Sequence, residues 1–367
     1  MSKKKQHYVP QVYMKAWETK VETSKEPNKK FNGIYAFNKS NIGEGTNKDS
    51  ILWKPHLYTV NFSSYHICRA CPKIKKEFVS LIYKILRKES PKPVYAKIGY
   101  SIIKTKKSIS KHFYEFENWK FYYDDGNAAR DSAIRNRIQE LNCYILENAF
   151  DSYFEKNWET IYKDFIEAVH NGQPIAIGQS ERIIPFETAS QMLKCFFIMM
   201  FRNPMYYTMN IYTEIKRKLS ENITSNIINI IKEYTVSIDT LITELWHCEL
   251  YNIFFKETHG IYHIITDMAL DGCQMILFEA NDGEGNFITS DIPAFEHISN
   301  VENKNLNGLL FPLSPKYLLF IARGFDKINI VDHRFANTDT IRYLNNIIFQ
   351  HKNNIAIAMS KQLDDSL

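Results

Sequence analysis

The sequence predicts an α+β fold in which a helix-rich central bundle packs on a C-terminal, mainly antiparallel sheet that also receives the N-terminal arm. Two observations lead to this prediction. Apolar residues recur at helical spacing over most of 131–256, whereas the chain after Gly260 consists of short alternating or β-branched runs joined by turn residues. Because helices and strands occupy separate stretches of the chain, a parallel doubly wound sheet is disfavoured.

The elements divide a single domain of 367 residues into three regions. Residues 1–62 form an N-terminal arm and a small β element, whose main strand is the alternating stretch Phe31–Phe37. Residues 63–256 form the helical region. Residues 257–367 form a β-rich C-terminal region with a late helix over 337–350, where apolar residues share one face.

Prolines mark the boundaries inside the helical region. Its first helix covers 74–86, where apolar residues recur at helical spacing. Pro185 is expected to begin a new helix, because proline is tolerated in the first helical turn. Pro204 is expected to kink that helix or to end its first segment.

Composition is that of a globular protein with a sizeable core, since 44% of the residues are hydrophobic and 24% are charged. The longest apolar stretch, 195–201, falls far short of a bilayer-spanning helix, so no membrane association is expected. The N-terminus is basic but lacks the apolar run of a secretory signal, which predicts a cytoplasmic protein. Six cysteines form no dense framework, so reduced thiols are expected.

The formal charge of +5 is mild, yet the basic residues gather in short clusters, most of them in the first third of the chain. Such clusters are typical of a surface that binds nucleic acid. They are equally consistent with solvated charge runs that keep the protein soluble. A nucleic-acid partner, a protein partner and a homo-oligomer therefore all stay open.

Two sets of short polar motifs lie at opposite ends of the chain. His7-Tyr8-Val9-Pro10-Gln11 opens the protein, and 287–293 and 311–315 follow almost three hundred residues later. Each motif places polar side chains beside a proline, which suits a positioned site better than a helix interior. His7 is a candidate general acid, base or metal ligand, and Gln11 can both donate to and accept from a substrate. The alternative for His7 is an anchor that ties the terminus to the body.

Ser290 and Asp291 complete the candidate catalytic group with His7. Asp291 is suited to bind a metal ion, to hold the His7 imidazole in one tautomer, or to act as a base. Its structural alternative is a turn in which the carboxylate caps backbone amides. Ser290 lacks a Gly-x-Ser-x-Gly elbow, so serine nucleophile chemistry has little support.

Arg202 and Asn345 are the further candidate substrate-binding residues. Arg202 follows a strongly apolar helix face, where a guanidinium needs either a carboxylate partner or an anionic ligand such as phosphate. A bridge to Asp291 or Glu147 is the structural alternative. Asn345 is expected to complete the polar cluster, or else to bridge backbone groups.

A zinc site is weakly indicated by His66, Cys68 and Cys71, which supply three ligands within six residues. A fourth ligand and a second Cys-x-x-Cys pair are missing from the sequence pattern. Neither a phosphate-binding glycine-rich loop nor a dinucleotide fingerprint is present, which disfavours ATPase, kinase and nicotinamide-dependent activities.

The order and spacing of these motifs resemble the bacterial family known as domain of unknown function 4238. The similarity continues through 147–167, through the apolar helix that ends in Arg202 and Pro204, and through 332–345. The resemblance implies a bacterial, or occasionally fungal, cytoplasmic protein, and some relatives sit near mobile or phage-defence genes. It does not supply a reaction.

The leading hypothesis is a nuclease-like phosphodiester hydrolase of a bacterial defence or toxin type. In this hypothesis His7 and Asp291 perform proton or metal work and Arg202 stabilises phosphate charge. The sequence leaves the cofactor open, with a divalent metal ion as one candidate. The alternative is a non-catalytic interaction or sensor subunit. Its motifs would be structural locks that hold the N-terminal arm against the sheet.

Overall fold

The computed structural model describes residues 5–38, 42–59, 72–88, 90, 92–142, 145–206, 239, 243, 246–247, 250, 272–298, 307–323 and 327–363. The chain divides into two compact units. The first unit comprises Met1–Gln6, Pro55–Ala149 and Asn210–Phe255, and the second comprises His7–Lys54, Phe150–Met209 and Lys256–Leu367. Each unit therefore combines stretches that the sequence assigned to different regions.

The helices and strands of the described residues are as follows. The helices are α1 (Gln11–Met14), α2 (Pro72–Arg87), α3 (Lys106–Lys111), α4 (Asp131–Asn142), α5 (Ile145–Phe150), α6 (Trp158–Asn171), α7 (Phe186–Phe201), α8 (Pro204–Tyr206) and α9 (Thr338–His351). Short 3-10 turns cover Lys15–Trp17, Lys48–Ser50 and Phe113–Asn118, and a π-helical turn covers Asp151–Glu155. The strands are β1 (Lys5–His7), β2 (Thr19–Val21), β3 (Phe31–Phe37), β4 (Glu44–Thr46), β5 (Trp53–Pro55), β6 (Val94–Ile98), β7 (Ser101–Ile103), β8 (Lys120–Tyr123), β9 (Gln173–Pro174), β10 (Glu181–Ile183), β11 (Cys273–Ala280), β12 (Thr289–Ser290), β13 (Phe295–His297), β14 (Gly308–Pro312), β15 (Tyr317–Arg323), β16 (Ile330–Ala336) and β17 (Ala356–Ala358).

Two sheets form the framework of the second unit, and they confirm the predicted α+β class. The larger has seven strands in the order β13-β14-β15-β11-β16-β10-β9. Its pairs are antiparallel apart from β11 and β16, which run parallel. The smaller has the order β12-β17-β3-β2, with β4 paired to β3. The N-terminal strand β3 thus pairs with the C-terminal strand β17 in this smaller sheet.

One hydrophobic core of the second unit lies on one face of the seven-stranded sheet. Ile276 and Phe278 of this sheet cluster with buried residues of α9, such as Ile341 and Ile348, and with Phe37 of β3. Helix α9 forms because its apolar residues recur at helical spacing and because Asn337 caps its first turn by accepting from the amide of Thr340. Burial of each large aliphatic side chain contributes about 1.5–3 kcal/mol.

Helix α7 places the residues that follow it. It begins directly after Pro185, as the sequence predicted, and most of its residues are buried. It packs against α6 and ends before Arg202, Asn203 and Pro204. The guanidinium of Arg202 and the side-chain amide of Asn203 are therefore almost fully buried at this end of the helix.

The first unit contains a three-stranded antiparallel sheet in the order β7-β6-β8, with α2 packed against β6. The sequence had placed 94–123 in the helical region, so this sheet is a correction. Val94 and Ala96 point inward while Tyr95 and Lys97 do not, which is the alternation of a strand, but it lasts only five residues. The first of the short strand-like runs that the sequence shows after Gly260, at 261–266, lies outside the described residues.

Every helix in the described part of the chain is too short or too polar to cross a lipid bilayer.

Candidate functional site

The N-terminal arm brings the three sequence motifs together through two side chains that were not predicted as site residues. The Tyr13 hydroxyl donates to the carbonyl of Pro312 at 2.6 Å and lies 2.7 Å from Thr289 Oγ1. Trp17 donates from Nε1 to the carbonyl of Phe287 at 2.9 Å. Both rings are fully buried. The sequence signal for these contacts is the presence of a tyrosine and a tryptophan in an apolar arm, because the polar atoms of both side chains need hydrogen-bond partners when the rings are buried.

Asp291 caps the turn between α9 and β17. Its Oδ1 accepts the backbone N–H of Asn353 at 2.9 Å, and its Oδ2 accepts that of Asn354 at 2.8 Å. Burial raises the pKa of Asp291, while these backbone hydrogen bonds act in the opposite direction. The carboxylate is 1% exposed. This is the capping arrangement that the sequence offered as the structural alternative.

Ser290 and Asn345 also form hydrogen bonds with the backbone. The Ser290 hydroxyl donates to the carbonyl of Ile292 at 3.0 Å and accepts its N–H at 3.1 Å. Asn345 donates to the carbonyl of Asn286 at 2.9 Å and accepts the N–H of Ile288 at 3.0 Å. Neither side chain is exposed to solvent. Their predicted catalytic and substrate-binding roles remain predictions.

Arg202 anchors the start of the chain. Its Nη2 donates to the carbonyl of His7 at 2.6 Å and to Glu155 Oε1 at 3.1 Å, and its guanidinium lies 4.6 Å from the centre of the Phe150 ring. The residue is 2% exposed. Glu155 is a carboxylate partner that the sequence did not suggest. This contact neutralises a buried charge, as a guanidinium in that position requires.

The His7 imidazole is half-buried and lies 2.9 Å, Nε2 to Nε2, from the Gln11 amide. Since the amide nitrogen donates, Nε2 is the accepting nitrogen of a neutral ring. Burial lowers the pKa of His7, and Arg202 lowers it further, whereas Glu155 raises it. Asp291 is not among the groups that act on this imidazole.

Within the N-terminal motif, Tyr8 is a residue whose pKa is affected by the charge of Asp291. Burial, followed by the negative charge of Asp291, raises the pKa of Tyr8 to about 12. Asn203, the neighbour of Arg202, donates from Nδ2 to the backbone carbonyl of Asp291 at 2.7 Å. The arm therefore docks beside the acidic turn, but the predicted imidazole–carboxylate pair is not formed. The zinc candidate His66, Cys68 and Cys71 lies outside the described residues.

A second cluster in the same unit brings together His170, Glu279 and His333. His170 lies in the last turn of α6, Glu279 near the end of β11, and His333 in the middle of β16. One donor atom from each residue lies within 4.8 Å of the other two. Two imidazoles and one carboxylate are a ligand set that proteins use for Zn²⁺ and other divalent transition metals.

The two oxygens of Glu279 have different partners. Oε2 lies 2.8 Å from His333 Nε2 and 3.2 Å from His170 Nε2. Oε1 lies 3.3 Å from Lys316 Nζ and accepts from the Tyr317 hydroxyl at 3.4 Å. Oε2, which faces the two imidazoles, is thus the oxygen suited to bind a metal ion, whereas Oε1 is held by Lys316 and Tyr317.

The cluster is partly open to solvent and partly desolvated. The side chains of Glu279 and His333 are 8% and 9% exposed, whereas that of His170 is 40% exposed. Burial lowers the pKa of His333, and His170 and Arg182 add to this, although Glu279 raises it. A lowered pKa favours neutral imidazole, which is the form that binds metals.

Sheet register explains how these residues meet. Glu279 lies opposite Tyr317 on β15, and Leu277, two residues earlier, lies opposite His333 on β16. Glu279 therefore shares a face with buried Met275 and Leu277. A charged residue on an otherwise apolar strand face was the available sequence signal. Its partners could not be inferred, because they come from elements 54 and 109 positions away.

The comparisons with known proteins agree with the motifs. A family model described as "Protein of unknown function (DUF4238)" matches residues 5–362. The match takes in the N-terminal motif and both C-terminal motifs, so the resemblance inferred from them is confirmed. No curated protein and no solved structure matches the chain.

Proposed function

The chain belongs to the DUF4238 family of proteins of unknown function, and from that premise we propose that it is a metal-dependent phosphodiester hydrolase whose metal ion is held by His170, Glu279 and His333. The observation that carries the proposal is the convergence of their donor atoms within 4.8 Å from three separate elements. A nuclease of a defence or toxin type remains the specific form of the proposal, as the sequence suggested. The proposed metal ligands are therefore the three residues of this cluster, in place of His7 and Asp291, which the sequence suggested.

The ligand count suits catalysis. Three protein ligands leave a coordination position for water or substrate, and a divalent ion there would supply Lewis-acid stabilisation of charge and an acidified water. His170 is the ligand nearest to solvent, so the open position is expected on its side. Lys316 and Tyr317 would keep Glu279 oriented by holding Oε1.

The surroundings favour an anionic substrate. The Lys316 ammonium is 48% exposed, and the charge of Arg182 reaches His333. Burial, and then the charges of Glu279 and Tyr162, raise the pKa of Tyr317, so its hydroxyl stays protonated and can donate to a phosphoryl oxygen. Cationic and neutral donors beside a metal ion are the groups that stabilise phosphoryl charge.

Metal binding is tested first, by isothermal titration of the chelator-treated full-length protein with Zn²⁺ and Mn²⁺. Wild type should bind about one ion, and His170→Ala, Glu279→Gln and His333→Ala should each lose at least about tenfold in affinity. His112→Ala is the matched control, because His112 Nδ1 lies 2.6 Å from Glu115 in a two-residue pair. Loss of affinity in this control alone, or equal affinity in all variants, would contradict the site.

Hydrolysis is tested next with labelled RNA and DNA. Wild type with metal should cleave at least one of them, and Glu279→Gln should reduce cleavage by at least about a hundredfold. His7→Ala reports on the site that the sequence predicted. If cleavage depends on His7 and not on Glu279, the proposal fails and the sequence hypothesis is restored.

A non-catalytic interaction or sensor subunit is the second candidate. It is favoured by one observation, namely that Ser290, Asp291 and Asn345 all bond to the backbone in a way that stabilises the fold. In that case the motifs act as locks, and metal binding would occur without hydrolysis of either nucleic acid.

A further inference from the structure

The outer face of the three-stranded sheet in the first unit differs in composition from its inner face. Val94, Ala96, Ile103 and Phe121 occupy the inner face and are buried. The outer face carries a row of tyrosines and lysines instead. Its members, which we call the tyrosine–lysine face, are Tyr95, Lys97, Ile102, Lys120 and Tyr122.

Two tyrosines form the centre of the tyrosine–lysine face. Tyr95 and Tyr122 are directly opposite in the register of β6 and β8, and their rings stack with centroids 5.8 Å apart and an angle of 24° between planes. Lys97 Nζ lies 5.5 Å from one ring centre and 4.9 Å from the other. Lys97 is itself opposite Lys120, so aromatic and cationic pairs alternate along the two strands.

The hairpin tip adds a third aromatic ring. Gly99 has a φ of +53°, which suits the two-residue turn between β6 and β7, where Ile98 pairs with Ser101. The other turn residue, Tyr100, is fully exposed, and Ile102 is 52% exposed. A fully exposed tyrosine at a hairpin tip offers a free ring to a partner.

Charge in this part of the chain is strongly one-sided. Residues 92–123 contain seven lysines and two glutamates, an excess equal to the formal charge of the whole protein. Both glutamates have local partners, Glu115 with His112 and Glu117 with Arg135. Lys97 and Lys120 form no salt bridge within the described residues, so their charge is available to an anion.

We propose that the tyrosine–lysine face binds single-stranded nucleic acid, with bases stacked on the tyrosines and phosphates near Lys97 and Lys120. Rings on a sheet surface that are flanked by lysines match the chemistry of an unpaired strand, which presents both base faces and a polyanionic backbone. A duplex hides its base faces in the stack and would use only the charge. The inference does not depend on the proposed hydrolase.

The test is fluorescence anisotropy of the full-length protein with labelled oligonucleotides of about 20 nucleotides, as single-stranded DNA, single-stranded RNA and duplex DNA, with a chelator present. Wild type should bind at least one single strand more tightly than the duplex at about 50 mM NaCl. Replacing Tyr95, Tyr100 and Tyr122 each by alanine should weaken binding at least about fivefold. Lys97→Gln should lower the salt dependence by about one counterion.

Controls separate stacking from charge and from loss of structure. Tyr95→Phe and Tyr122→Phe keep the rings and should bind within about twofold of wild type. Phe186→Ala and Lys20→Gln remove an exposed ring and an exposed lysine from the second unit and should leave affinity unchanged. Because a chelator is present, binding is measured without a metal ion, which keeps this result distinct from the outcome for the metal site.

Several outcomes would overturn the inference. They are the absence of binding to either single strand, equal affinity for the duplex, and unchanged affinity when all three tyrosines are replaced. Circular dichroism melts of each variant identify those that fail to fold. If Tyr95→Ala or Tyr122→Ala fails to fold, the inference is judged from the phenylalanine variants and Tyr100→Ala.

Discussion

At the residue scale, the polar motifs owe their rigidity to backbone bonds. Asp291 satisfies two amides that follow helix α9, and it does so from a position where solvent is excluded. Replacing this carboxylate removes the acceptor of both amides, and a hydrogen bond to a charged group stabilises more than one between neutral groups. The structure shows the contacts of the capping role that the sequence offered as an alternative for Asp291, and its catalytic role stays a prediction.

We expect Asp291→Ala to lower the free energy of unfolding by about 2–3 kcal/mol, because two charge-assisted hydrogen bonds disappear together. Urea denaturation measures the change. Asp164→Ala removes an exposed carboxylate from helix α6 and should change stability by less than about 0.5 kcal/mol. A variant as stable as wild type but lacking activity would return Asp291 to the catalytic group.

The same scale shows what a residue pattern leaves open. The sequence predicts a partner for Arg202, and in the structure Arg202 donates to Glu155 and to the carbonyl of His7. The sequence also predicts a group that orients the His7 imidazole, and in the structure that group is the amide of Gln11, four residues away. Only the second partner is close in sequence, so only the second was within reach of a local pattern.

At the element scale, long periodic segments were predicted well. The strand at Phe31–Phe37 is confirmed, and the helices expected over 74–86 and 337–350 appear as Pro72–Arg87 and Thr338–His351. Short strands were missed where three to five residues carry the pattern, as in Val94–Ile98. Periodicity needs several repeats before it can be told from chance.

Close approach of two backbones at β4 makes a further element-scale prediction. A Cβ at Gly45 would lie 2.3 Å from the carbonyl oxygen of Glu22, and backbone atoms cannot give way as a flexible side chain would. Gly45→Ala should therefore lower the free energy of unfolding by about 3 kcal/mol or more, measured by chemical denaturation.

Gly178→Ala is the matched control for that measurement. An added Cβ there meets nothing within 4 Å, and only the φ of +86° is unfavourable, so a loss of about 1–2 kcal/mol is expected. Equal losses in the two variants would show that β4 can move away from the Glu22 backbone at little cost.

At the scale of the whole molecule, stability should depend on pH through His247. Burial lowers the pKa of His247 from 6.5 to about 4, although a hydrogen bond to the carbonyl of Leu57 raises it. The unfolded chain therefore takes up a proton more readily than the folded one. This contribution to stability is present above pH 6.5 and is lost as the pH falls towards 4.

We expect wild type to lose about 3 kcal/mol more than His247→Gln across that pH interval, since each unit of pKa difference is worth about 1.4 kcal/mol. Glutamine retains a donor for the Leu57 carbonyl but does not titrate. Urea unfolding at a series of pH values measures both proteins. Parallel pH profiles would mean that His247 is more accessible to protons than its burial implies.

The sequence by itself determined the fold class, the principal helices and strands, and membership of the family. These depend on the period of apolar residues and on motifs that are local in the chain. Only the tertiary structure decided which side chains meet. His170, Glu279 and His333 come together because α6 places His170 beside a sheet whose register aligns β11 with β16, and register depends on packing between distant segments. For the same reason, Tyr13 and Trp17 join both ends of the chain through contacts that no local pattern contains.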